Sequence, residues 1–94
     1  AERRLASLRA AIAELDARLL TPAADRARLA AAAAEAKRVL AQPVRDVAQE
    51  AAVRARAHAH VATLGRAGDP APLAAPDVEA LLDVLLAIGR RAQG

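Results

Sequence analysis

Leu5, Leu8, Ile12, Leu15 and Leu19 recur at alternating steps of three and four residues. That spacing is the seam of one helix laid against another. A strand would alternate every second residue instead. Glu14 and Arg18 sit four apart on the flank, where opposite charges support a helix. The segment 2–20 therefore reads as a helix that needs a helical neighbour. The rest of the chain agrees. Of its 94 residues 30 are alanine, and Phe, Trp, Tyr, Met and Cys are all absent. Alanine has the highest helix propensity, with leucine and arginine close behind, so the expected class is all-α in a single domain.

Prolines punctuate the pattern. Thr21-Pro22 looks like the end of one helix and the start of the next, since proline costs no hydrogen bond at the first helical position. A helix over 22–41 follows, with Leu29, Ala33, Ala36 and Leu40 inward. Gln42-Pro43 repeats the signal, and LTPAAD at 20–25 resembles AQPVRD at 41–46. The alternative is one kinked helix from Pro22 to Leu64. A helix over 43–64 places Val44, Val47, Ala51, Ala55, His58 and Ala62 on its inward stripe, with Arg54 and Val61 at the edge. Gly65, Gly68, Asp69, Pro70 and Pro72 mark a longer connection over 65–75, with Gly65 or Gly68 suited to a left-handed cap. A fourth helix over 76–92 opens on Pro76, with Asp77 and Glu79 early and Arg90 and Arg91 late, matching the helix dipole. Its apolar residues cover more than half the circumference, which suits self-association through positions such as Val84 and Leu86. The expected architecture is an antiparallel up-down four-helix bundle.

Proline at helix starts, acids early, bases late and the Ala/Leu/Arg bias give the chain a likeness in style. It resembles de novo designed four-helix bundles over its whole length. That resemblance implies an idealised bundle from no natural family. A helical segment from a GC-rich genome fits the arginine and valine bias as well.

The net charge of +3 comes from arginines interleaved with acids, and no segment is a basic block. Without aromatic residues there is no platform for stacking bases, so nucleic acid is not an expected partner. No apolar run approaches the roughly 20 residues that span a bilayer, and AERRLASLRA has no signal-peptide core. A soluble protein is expected, its compartment open. Zero cysteine excludes thiol chemistry and cysteine–zinc sites.

One region invites a ligand. Glu50, Arg54 and His58 follow each other at steps of four and form a polar ladder on an alanine-rich face. His60 points about 200° away from His58, with Arg56 and Gln49 on the polar side. Ala36, Ala51 and Ala55 leave room between helices for a small or flat molecule. Haem held by His58 as axial ligand is the most concrete version, noncovalent because no CxxCH is present. Lys37, the one lysine, reads as a solvated flank residue, and Ser7 and Thr63 have no acid–base partner at a recognisable spacing. The expected function is non-enzymatic binding at His58, Arg54, Glu50, Ala51, Ala55 and Ala36. A ligand-free structural or oligomerising bundle is the alternative.

Overall fold

A computed structural model describes residues 1–65 and 73–94. The described residues form three helices, α1 (Glu2–Val39), α2 (Val47–Ala62) and α3 (Ala75–Ala92). The all-α class holds, but the four-helix bundle does not. The two expected helices 2–20 and 22–41 are one helix of 38 residues that runs through Pro22. Thr21-Pro22 carries the local signature of a helix start, and that signature loses to propagation. Proline forfeits one hydrogen bond, to the carbonyl of residue 18. Alanine, leucine and arginine on both sides keep the helix favourable across the gap. At 1.5 Å per residue α1 is about 57 Å long, which accounts for the molecule's long axis of 59 Å.

The break expected at Gln42-Pro43 is present, so the single kinked helix over Pro22–Leu64 is excluded. Its machinery differs from the expected one. Gln42 N–H donates to Lys37 O at 2.8 Å and Ala41 N–H to Arg38 O at 3.1 Å. This is a Schellman ending, with Ala41 in the left-handed region at φ 56° where glycine is usual. Pro43 starts nothing. It lies in the connection, which Lys37 ties down by donating from Nζ to Val44 O at 3.0 Å. The helix begins four residues later, where the Asp46 carboxylate caps it by accepting from Gln49 N–H at 3.0 Å. At its other end α2 closes on Thr63 in right-handed geometry rather than on Gly65, and Gly68 lies outside the described residues. Helix α3 starts within one residue of expectation. The Asp77 side chain reaches back to accept from Ala74 N–H at 3.0 Å.

Helix α3 is the centre of the molecule, for α1 and α2 each pack on it and not on each other. The buried apolar residues are Val78, Leu82 and Leu86 on α3 and Ala34 on α1. The face that α1 turns to α3 is built from Ala23, Arg26, Ala27, Ala30, Ala31, Ala34 and Lys37, all buried or half-buried. The expected inward set, Leu29, Ala33, Ala36 and Leu40, is exposed. The α2 stripe is turned by about one residue in the same way. Glu50, Val53, Arg54, Ala57, His58 and Val61 are half-buried, while Val47, Ala51, Ala55 and Ala62 are exposed. The leucine seam of 2–20 touches neither α2 nor α3 in any way that buries it. Leu5, Leu8, Ile12, Leu15 and Leu19 are 47–67% exposed. No described helix is long and apolar enough to cross a membrane.

Candidate functional site

The polar ladder of α2 does face α3, and its three members do different things there. Arg54 bridges two carboxylates one turn apart on α3, donating to Glu79 at 2.5 Å and to Asp83 at 2.7 Å. His58 Nε2 lies 3.3 Å from the other oxygen of Glu79. The His58 hydrogen bond, and after it the Arg54 hydrogen bond, hold the Glu79 carboxyl below the usual carboxylate range. Arg54 is raised in turn, first by Asp83 and then by Glu79. Arg54 and His58 therefore join α2 to α3. His58 Nε2 is already set against a carboxylate and is not presented as an open axial ligand for haem. Ala36, Ala51 and Ala55 are exposed and do not line the cavity beside His58.

Glu50, the first rung, belongs to a different place. It lines a cleft of about 290 Å³ between the second half of α1, the start of α2 and the end of α3. Three guanidinium groups enter that cleft, each from a different segment. Arg26 comes from α1, Arg45 from the connection before α2, and Arg90 from α3. Glu50 binds two of them, accepting from Arg90 at 3.2 Å and standing 3.7 Å from Arg45 Nε. The Arg26 guanidinium rests on the backbone of α3, donating from Nη1 to Leu85 O at 3.2 Å. The amides of Gln49 and Gln93 and the carboxylate of Asp46, which is turned to the first turn of α2 as its cap, complete the polar lining, and Leu29, Val44, Val53 and Leu86 supply most of the apolar part. The first turn of α2 also opens here, and its unpaired N–H groups favour negative charge. The arrangement is a set of forked donors around a small apolar floor, suited to a compact anion carrying carboxylates.

Sequence reasoning reached Glu50 and missed Arg26, Arg45, Arg90, Gln49 and Gln93. The sequence puts Gln49 on the polar side of α2 with Arg56 and His60, and it is exposed there while still lining the cleft. A signal for Arg26 existed. On the α1 face that packs, alanine occupies nearly every position from 23 to 34, and Arg26 interrupts it. A cation on a close-packed alanine face is costly unless it has a partner or a ligand. Among the described residues no cluster of His, Cys, Asp or Glu is placed to hold a metal ion.

A family model, chorismate mutase type II, matches residues 8–94. The chain belongs to the chorismate mutase type II family. The match covers α1 from residue 8 onward and all of α2 and α3, so a natural family stands where a designed bundle was expected. It also overturns the non-enzymatic reading and the haem reading, since the family is one of enzymes that isomerise chorismate to prephenate. Comparison with curated proteins and with solved structures found no match.

Proposed function

We propose that this chorismate mutase family member isomerises chorismate to prephenate in the cleft between α1, α2 and α3. The observation that carries the reading is the convergence of Arg26, Arg45 and Arg90 in one small cleft of a chain with that family's sequence pattern. Chorismate is a dicarboxylate with an enolpyruvyl ether. Its rearrangement is intramolecular, breaking one C–O bond and forming one C–C bond within a single molecule. Such a reaction asks a protein for two things. The flexible side arm must be held over the ring, and the oxygen that gains negative charge must meet donors. Guanidinium forks on facing elements suit the two carboxylates. The Gln49 and Gln93 amides are neutral donors for the ether oxygen. Glu50 keeps Arg45 and Arg90 in place by pairing with both. Chorismate incubated with the purified chain, with prephenate read by proton NMR, tests the proposal. Formation well above the uncatalysed rate is expected, and a rate equal to that of buffer overturns it.

The partner surface we propose is a second copy of the chain, along α1 rather than along α3. Of the α3 positions Val84 and Leu86, Leu86 is 8% exposed and serves the core, while Val84 is 58% exposed and is joined among the described residues of α3 only by Leu81 as an exposed large apolar side chain. The α1 seam is open and has the spacing by which like helices pair. An isolated helical arm of this length is marginal in water without such packing. Sedimentation of the parent tests it, with a dimer or larger assembly expected and a monomer at every concentration contradicting it.

A further inference from the structure

Arg26 reaches the cleft through a slot in α3, and the slot exists because residue 89 has no side chain. Gly89 is buried in the last turn of α3, still in helical geometry and without an unusual backbone angle to require glycine. A Cβ built there would stand 3.4 Å from Arg26 Nη1 and 3.6 Å from Ala30 Cβ. Alanine would thus fill the slot to ordinary contact, and a β-branched side chain would compete with the guanidinium for the same space. The acceptor on the floor of the slot is Leu85 O, 3.2 Å from Arg26 Nη1. Residue 85 is four before residue 89, so this is the carbonyl that α3 uses for its own Gly89 N–H. A side chain at 89 would lie over that carbonyl and screen its free lone pair. Glycine in a helix interior is unfavourable relative to alanine, so a reason other than helix stability fits its presence.

We propose that Gly89 is a positioning residue for Arg26: it leaves open the slot in which the guanidinium anchors to Leu85 O, so that the remaining N–H groups of Arg26 are aimed at a substrate carboxylate. The inference rests on the chorismate reading of the cleft. Aiming a carboxylate-binding fork acts on substrate and transition state alike, so its loss raises KM and leaves kcat nearly alone.

The test combines two variants with two readouts. In G89A the Arg26 Nε–H resonance, assigned by its loss in R26K, moves, while the melting temperature stays level or rises because alanine favours the helix. In G89V, KM for chorismate rises about tenfold with kcat within about twofold, the size expected for misplacing one charge-assisted hydrogen bond. Adding G89V to R26A leaves kcat/KM where R26A alone put it, because the two residues act through one contact. The proposal is overturned if the Arg26 resonance is unmoved in G89A, or if G89V lowers kcat/KM as much in the R26A background as in the parent. Should G89V fail to fold, the G89A resonance decides. If that resonance moves and the parent turns over no chorismate, the slot stands and the chorismate reading alone falls.

Discussion

Helix α1 has two halves that invert the usual reading of apolar residues. The first half, 2–20, carries most of the large apolar side chains of the helix, and all of these are exposed, Leu20 to 70%. The second half, 23–39, packs on α3 through alanines, with Ala34 fully buried and Ala30 beside Gly89. Leu29, the large apolar residue there, is 70% exposed and forms part of the cleft wall. Small residues mark where the chain folds on itself, because they let backbones approach closely. The large ones of the first half form the surface proposed above for a second copy of the chain. The contrast separates two sources of stability. The second half belongs to the fold of one chain, and the first half is the part that the proposed self-association would pack.

Charges in the seam break this comparison most strongly. Replacing Leu8 and Ile12 by glutamate removes two side chains worth about 1.5–3 kcal/mol each when buried. Self-association should weaken by at least roughly a hundredfold, read by sedimentation, with helix content falling over 2–20 and the contacts of α3 preserved. Truncations come next. Leu82→Ala should cost about 2–4 kcal/mol at every protein concentration, since Leu82 is 7% exposed within one chain. Leu15→Ala should destabilise only where chains associate, because Leu15 is 55% exposed in the single chain. Equal effects on dilute thermal melts would show that both halves serve one core.

A smaller effect marks where the packed half stops. Ala41 holds the left-handed ending of α1 at φ 56°. Ala41→Gly should stabilise by about 1 kcal/mol in denaturant titration, by relieving the Cβ clash that glycine lacks. The smallest effect concerns α2, which is held to α3 by polar pairs rather than by buried apolar residues. Glu79 has its folded pKa lowered, so its contribution is present above the ordinary glutamate range. That contribution is lost as pH falls through the lowered value. Glu79→Gln should flatten acid destabilisation in that window, and an unchanged pH profile of stability would show that the Arg54–Glu79–His58 cluster contributes nothing. The cluster is solvent-accessible, so the expected change is small.

The sequence exposed much of this frame. Helical periodicity showed the class, the ends of α3 and the inward turn of His58 and Arg54. The break after α1 was visible from Pro43, although its causes, Ala41 and Asp46, were not. Pro22 misled because a start signal and an interior proline look alike when read locally. Only the balance of propagation on both sides distinguishes them. The inward stripes were displaced by about one residue because leucine and valine were weighted over alanine. In α1 the leucines of the first half are buried by nothing among the described residues. The cleft was legible at Glu50 alone. Arg26, Arg45 and Arg90 are brought together from three segments by the packing of α1 and α2 on α3. No spacing along one helix reports such a meeting.

The measurement that tests the account most directly is the initial rate of prephenate formation by three proteins, the parent, Arg26→Ala and Arg54→Ala. Arg26 lines the cleft, and Arg54 joins α2 to α3 outside it. The account predicts turnover by the parent, a fall of roughly a hundredfold in kcat/KM for Arg26→Ala from the loss of one charge-assisted contact, and near-parental kcat/KM for Arg54→Ala. A parent rate no faster than buffer, or an Arg54→Ala loss as deep as that of Arg26→Ala in a folded protein, would contradict it.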